Sequence, residues 1–466
     1  MSAMPLRLTP AEDPAPLPNA APRTLAGAFI ASHRRHERHF RGDFYQRDRA
    51  VYRREEREVL RAEVADFLAD VFTLDREGNA KRYIPNAARI NDVLDAMSTL
   101  AQVRVDSLPA WLDHPHSRPQ VGNVIAFQNG LIDLAEYLAG EVRLMPPNPL
   151  WFSTNVLPFD FTQDAPAPAA WWNFLGQLWA DDEEAAGLLQ EWFGYCLTAN
   201  TAQQKIAMLC GPPRSGKGTI ARILTKLIGP ENIAAPTLAG LGGNFGLSPL
   251  LGKSLAIISD ARLSGRSDLA VVTERLLSLS GEDSLTVDRK CRESVTLRLP
   301  TRIMLLSNEL PKLSDASGAL AERFLILVLK RSFLGAEDVN LTEKLSAELP
   351  GILLWSLEGL RRLHQRGRFF TPASADAAME ELRELVSPIK AFFNERCEVG
   401  AGRCVEASAL YEAWCAWAKS QGREHAGTVQ TFGRDVRAAI PSVEMSQPRL
   451  KSGERTRVYE GVSLRL

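Results

Sequence analysis

The chain has 466 residues, 45% hydrophobic and 24% charged, with a formal net charge of −1. These figures describe a globular protein with material for about three domains, and they exclude a global basic field as the basis of nucleic-acid binding, so any such contacts must be local. The six cysteines (Cys196, Cys210, Cys291, Cys397, Cys404, Cys415) show no C-x-x-C pair and no zinc-ligand spacing, and no signal peptide or long uncharged apolar run is present; free thiols in a reducing cytoplasm, with no membrane partner, are the expectation.

Residues 1 to about 23 are rich in Pro and Ala, and disorder is expected there and, as a domain assignment, over 1–40. From His33 to Arg57 the chain is crowded with Arg and His, interleaved with Glu37, Asp43, Asp48, Glu55 and Glu56. That interleaving favours a solvated, ion-paired face over a nucleic-acid arm. Phe44-Tyr45 and Val51-Tyr52 flank a turn and suggest a small hairpin. Helical periodicity follows over Val59–Leu74 and Ala88–Val103, then strand–turn–strand over Asn123–Leu134. Together these make a mainly helical α+β domain over 41–165, closed by the linker-like run Gln163–Ala170. Helices over Trp171–Leu178 and Glu183–Leu197 carry aromatics (Trp171, Trp172, Phe174, Trp192, Phe193, Tyr195) that read as packing rather than base-stacking.

The next stretch organises the rest. Ile206–Cys210 is an apolar run expected as a buried strand; it breaks into Gly211-Pro212-Pro213-Arg214-Ser215-Gly216, and Lys217-Gly218-Thr219 opens a helix over Ile220–Ile228. Strand, glycine-bounded loop and helix is the setting of a phosphate-binding loop, in which backbone N–H groups and the helix N-terminus face anionic oxygens. Lys217 would reach the β- and γ-phosphates of a nucleoside triphosphate. The residue after the lysine is Gly218 where Ser or Thr is usual, and Thr219 lies one place later, so the side-chain hydroxyl for Mg²⁺ is displaced.

Ser254–Asp260 reads as a second buried strand ending in an acid placed to hold Mg²⁺ on a nucleotide. Gly281–Arg292 looks like a hairpin with Arg289, Lys290 and Arg292 near its tip, either a contact for a DNA backbone in a pore or a solvated turn. Arg302–Ser307 is a third strand, with Asn308 at its tip able to orient a water or sense a γ-phosphate. Phe324–Leu329 is a fourth, preceded by Arg323, which spacing alone reads as surface charge. Beyond a helical stretch over Leu341–Gln365, helices are expected at Ser387–Arg396, Ala407–Ser420 and Val429–Ala439, then strands near Val443–Leu450 and Arg457–Leu466. Three helices and a hairpin is the winged-helix pattern, with Arg434 and Arg437 on the third helix and Arg449, Lys451, Arg455 and Arg457 on the wing; DNA binding and protein docking both suit it.

The succession GPPRSGKGT, LAIISDARL, SGEDSLTVDRK, RIMLLSNELP and SGALAERFLIL resembles the superfamily 3 helicase core. More closely, it resembles the phage and plasmid primase–helicase branch shared by poxvirus primase–helicases, here without a primase domain. The resemblance implies an α/β P-loop NTPase core of the AAA+ type over 171–370 and a winged-helix-like domain over 380–466. It places Gly211, Gly216, Lys217 and Thr219 on Walker A, Asp260 on Walker B, Arg289 and Lys290 on the DNA-contacting hairpin, and Asn308 on the sensor position. Arg323 falls on the arginine finger. Walker B continues Asp260-Ala261-Arg262, without the second acid often found there, so the catalytic base is unassigned among Glu274, Glu282 and Asp283. The family implies a homo-hexameric helicase in a bacterial host, using ATP and Mg²⁺ to move 3′ to 5′ on single-stranded or forked DNA, with a separate primase or initiator as a further partner. The alternatives are a DNA-binding ATPase switch (an initiator or defence regulator) that does not unwind, and a small-molecule phosphotransferase, whose phosphate loop the string SGKGT also resembles.

Overall fold

The computed structural model describes residues 16–113, 118–260, 269–311, 313, 315–422, 426–448 and 456–465. It forms two compact units: one from residues up to 121 with 126–132 and 144–156, the other from 122–125, 133–143 and 157 onward.

In the first unit, α1 (Pro22–His33) starts with proline at its first position, where no intrahelical N–H is needed, and buries Leu25, Ala26 and Phe29. The expectation of disorder over 1–40 therefore fails for 22–40, because Leu25, Phe29 and Ile30 recur at helical spacing and find a core; residues 1–15 lie outside the described residues. The Arg/His-rich stretch folds as an antiparallel meander: β1 (Arg38–Phe40), β2 (Asp43–Asp48) and β3 (Val51–Arg54). Arg41 and Gly42, both at positive φ, make the first two-residue turn. The interleaved acids are the counter-charges: Arg53 pairs with Asp48, Arg54 with Asp43, and the buried Arg34 lies among Glu37, Glu55 and Glu63. Two helices follow, α2 (Arg57–Ala69) and α3 (Ala87–Leu100), the latter capped by the Asn86 side chain accepting from the Arg89 N–H. The first expected helix was too long at its end, where Phe72–Leu74 is a short strand.

In the second unit, α4 (Ala169–Leu178) and α5 (Glu183–Cys196) precede the sheet. Trp171, Phe174, Trp192, Phe193 and Tyr195 are buried and pack, while Trp172 is half exposed. Its central element is a five-stranded sheet built from β4 (Ile206–Cys210), β5 (Ile233–Ala234), β6 (Leu255–Ser259), β7 (Arg302–Ser307) and β8 (Phe324–Val328). The spatial order is β5-β6-β7-β4-β8 and every pair is parallel. Four of them are unbroken apolar runs, buried on both faces, which is why the sequence located them closely; β5, two residues long, was not foreseen. Helix α6 (Lys217–Ile228) follows β4, and α7 (Leu269–Gly281) precedes a hairpin of β9 (Ser284–Arg289) and β10 (Arg292–Arg298) that leads into β7. Helices α8 (Leu341–Ala347), α9 (Leu349–Arg366) and α10 (Asp376–Val386) come after the sheet.

Met379, Leu382 and Val386 of α10 join the sheet's core, so the next module starts near Ser387, not at 380. That module runs α11 (Pro388–Arg396), β11 (Cys397–Glu406), α12 (Ala407–Ser420), α13 (Val429–Ala439) and two closing strands, β12 (Glu444–Ser446) and β13 (Val458–Leu464). The antiparallel order is β11-β13-β12, over a core of Phe392, Trp414, Trp417, Phe432, Val436 and Tyr459. Arg434, Arg437 and Arg457 are exposed; Arg449, Lys451 and Arg455 lie outside the described residues. Among the described residues no helix is long and apolar enough to cross a membrane.

Candidate functional site

Parallel strands deliver their carboxyl ends to one edge of a sheet, and there the loops between strands and helices gather. Three neighbouring strands end side by side here. Asp260 follows β6, and its N–H donates to the Leu306 carbonyl at 2.9 Å; Asn308 follows β7; and Gly211 follows β4, its N–H donating to the Ser307 carbonyl at 3.2 Å. Asp260 is exposed and adopts φ +65°, a left-handed turn that acids tolerate better than most residues.

The loop after β4 has the geometry that the glycines suggested. Gly216 caps α6 at φ +94°, and a Cβ there would lie 3.0 Å from Leu178 and 3.3 Å from Phe174 of α4. A Cβ on Gly211 would fall 2.2 Å from the Leu329 carbonyl oxygen. Bare backbone is thus required at both ends of the loop. Lys217 folds back over it: Nζ donates to the Gly211 and Pro212 carbonyls at 2.5 and 2.8 Å, to Ser215 Oγ at 3.2 Å and to Asn308 Oδ1 at 3.0 Å. All four acceptors are neutral, and burial lowers the Lys217 ammonium below its ordinary pKa. An ammonium held by neutral carbonyls beside the first-turn N–H groups of a helix suits a polyanion. The cradle and the donor set therefore fit the phosphates of ATP.

Pro213 and Arg214 are exposed and braced from far along the chain. Ser332 Oγ donates to the Pro213 carbonyl at 2.8 Å, the Phe333 N–H donates to the Arg214 carbonyl at 2.9 Å, and Arg214 lies 3.5 Å from Glu337. Nothing in the local pattern of either segment announces this brace or the contact of α4 beneath Gly216.

For a metal, the two expected ligands differ. Asp260 offers a carboxylate at the sheet edge. Thr219 is buried in α6, and its hydroxyl accepts from Arg222 Nη2 at 3.0 Å, so it is already engaged. Among the described residues no three His, Cys, Asp or Glu side chains cluster for a metal. Ala261 and Arg262 lie outside the described residues.

Arg323 is not brought to this edge. It precedes β8, level with Lys205 before β4, and six residues of strand separate that level from Gly211, about 20 Å. Its guanidinium donates to the Gln204 side chain and, at 3.4 Å, to the carbonyls of Gln204 and Ser280. Two candidates for the base share this opposite edge. Glu282 accepts from Thr201 Oγ1 and pairs with Arg298, and the Asp283 N–H donates to the Ser278 carbonyl at 3.1 Å. Glu274 is exposed on α7. Glu282 and Asp283 thus lie at the opposite edge from the glycine-bounded loop and Lys217 within one chain. The hairpin places Lys290, Cys291 and Arg292 exposed at its tip, with Arg289 paired opposite Arg292 and its Nε donating to the Glu293 carbonyl at 2.9 Å.

The family model described as D5 N terminal like matches residues 33–180, and one described as a family of unknown function, DUF5906, matches 209–323, which runs from β4 to Arg323. Among solved structures, the apo structure of the NrS-1 C terminal region (305–718) is 12% identical, with a TM-score of 0.52 over 95% of this chain and 99% of that one. The chain shares that fold. Two further A-form apo structures of the same region, at 12% and 13% identity, cover 90% and 94% of this chain and 94% and 99% of theirs, with TM-scores of 0.47 and 0.46.

Proposed function

We propose that the chain is an ATP-driven, ring-forming DNA helicase acting in the replication of a phage, prophage or plasmid in a bacterial cytoplasm. The observation that carries the reading is the meeting of Lys217 and Asn308 over a glycine-bounded loop, one strand from Asp260. The D5-like match and the NrS-1 fold support it alongside the motif succession. In this reading the sheet is a P-loop NTPase core and the module after Ser387 a winged helix. Lys217 and the amides of Arg214, Ser215, Gly216 and Gly218 bind the polyphosphate, with Pro212 and Pro213 shaping the loop. Asp260 would hold Mg²⁺, which when bound would supply neutralisation of the phosphate charge. Asn308, released from Lys217 when phosphate takes the ammonium, orients the attacking water. Arg323 reaches the site of a neighbouring copy, which the 20 Å separation within one chain (about six residues of strand) requires if it is to act at all. Arg289, Lys290 and Arg292 track single-stranded DNA in a homo-hexameric channel, and a separate primase or initiator completes the system.

Unwinding of a forked duplex with ATP and Mg²⁺ tests this. Wild type should separate the strands and Lys217→Ala should not. Hydrolysis stimulated by single-stranded DNA without unwinding would instead indicate a DNA-dependent ATPase switch, and no response to DNA would overturn the reading.

A further inference from the structure

Position 218 is the place at which a phosphate loop of this kind ordinarily presents a Ser or Thr hydroxyl, and here it is glycine. The space is not empty. A Cβ built on Gly218 meets one neighbour within 4 Å, the guanidinium Nη1 of Arg222 at 3.2 Å. Residues 218 and 222 are one helical turn apart on the same face of α6, and long helical side chains lean toward the helix N-terminus, which brings this one back over the first turn.

Two hydroxyls hold it there. Nη2 donates to Thr219 Oγ1 at 3.0 Å, and Nε donates to Thr342 Oγ1 of α8 at 3.2 Å. Both partners are neutral, and among the described residues Arg222 has no carboxylate partner. A fixed positive charge without counter-ion therefore stands beside the loop, in the space that a hydroxyl-bearing side chain would fill. A guanidinium is permanently charged and presents paired N–H donors that match phosphate oxygens.

Resting on the nucleotide-binding reading above, we propose that Arg222 binds the polyphosphate of the bound nucleotide in cis, supplying from the protein part of the charge neutralisation that a Ser or Thr at position 218 would supply through Mg²⁺. Nucleotide affinity then depends less on Mg²⁺ than in a loop that carries the hydroxyl. Glycine at 218 gives this arrangement room, since a Cβ there would stand 3.2 Å from the guanidinium, which would have to yield by a few tenths of an ångström.

The test is equilibrium binding of the fluorescent analogue mant-ATP to the full chain, with excess Mg²⁺ and in EDTA. Wild type should lose less than about tenfold in affinity on chelation, and Arg222→Ala should bind about 10- to 100-fold more weakly than wild type in EDTA, with a smaller loss in Mg²⁺. Arg222 is exposed and alanine favours helix, so the variant should fold, which circular dichroism checks. Gly218→Ser should displace the guanidinium and make binding more Mg²⁺-dependent than in wild type. Equal affinities of wild type and Arg222→Ala in EDTA would overturn the proposal. Lys217→Ala separates the two levels: if it also binds mant-ATP as wild type does, the nucleotide-site reading itself fails; if it loses binding while Arg222→Ala does not, only the role of Arg222 falls.

Discussion

The two edges of the parallel sheet are built from the same five strands and are chemically opposite. At the carboxyl edge the cation Lys217 rests on neutral carbonyls, a serine hydroxyl and the Asn308 amide. At the amino edge charge is largely matched: Glu282 answers Arg298, Arg383 answers Glu322, and Arg323 is held by the side chain of Gln204 and by carbonyls. The difference follows from strand polarity. Parallel strands place the N-termini of their following helices, with unsatisfied N–H groups and partial positive charge, at one edge only. The carboxyl edge is therefore the one suited to an anion. Residues expected to act together, Lys217, Asp260 and Asn308 on one side and Arg323 on the other, thus belong to two edges of one sheet.

This contrast can be broken or sharpened by substitution. The largest effect is expected for Arg323→Ala, which should leave mant-ATP binding intact and cut hydrolysis by about 10³–10⁵, the worth of an arginine finger; hydrolysis at the wild-type rate would remove Arg323 from the site. Next comes the hairpin. Lys290→Ala with Arg292→Ala should weaken single-stranded DNA binding and flatten its dependence on log salt by about 0.7 for each lost phosphate contact, with ATP binding unchanged. Salt titration of DNA binding by fluorescence anisotropy reads this, and an unaltered slope would return the tip to the status of a solvated turn. The smallest change is expected for Glu282→Gln. It breaks a partly exposed pair with Arg298, costing about 1 kcal/mol or less, and should leave the rate of hydrolysis near wild type rather than lowering it by the 10²–10⁴, in order of magnitude, that loss of a general base costs. A large rate loss without a loss of binding would show that the amino edge contributes a base across the subunit boundary.

The first unit offers a separate check. Burial pushes the Glu37 carboxyl up from its ordinary 4.5 to about 8, against the opposing pull of Arg34. An acid with a raised folded-state pKa binds more protons folded than unfolded, so its contribution to stability is complete below about pH 4.5 and declines as pH rises through about 8. Melting of this unit should therefore fall between pH 5 and pH 8, a window set by that shift, and Glu37→Gln should flatten the dependence. An identical pH profile for the variant would exclude Glu37 as its source.

Much of the sheet was legible because buried parallel strands are unbroken apolar runs between turn residues. Ile206–Cys210 and Arg302–Ser307 matched their expected bounds, and the strand expected over Ser254–Asp260 is Leu255–Ser259. The three helices after Ser387 were equally clear from their periodicity. The strand Cys397–Glu406 was not, because Gly400 and Gly402 interrupt it and it is mostly exposed, which leaves no alternation to read. Helix α1 was masked by the Pro/Ala-rich run before it, although Leu25, Phe29 and Ile30 carried the period. At the site, the loop, Lys217 and the strand-end positions of Asp260 and Asn308 were accessible from local pattern. The braces from Ser332 and Phe333 and the packing of α4 under Gly216 were not, since each joins segments that share no sequence neighbourhood. Whether Glu282 stood near the phosphate loop depended on which edge of the sheet received it, and local sequence carries no such information.

The central claim, that the two edges meet between copies, is tested most directly by mixing two inactive proteins. Lys217→Ala retains the arginine at the amino edge, and Arg323→Ala retains the phosphate loop. In a mixed ring some interfaces pair an intact loop with an intact arginine. Hydrolysis of ATP by the mixture, when neither variant alone turns over, is the predicted result; a mixture that has exchanged subunits and stays as inactive as its components would contradict the account.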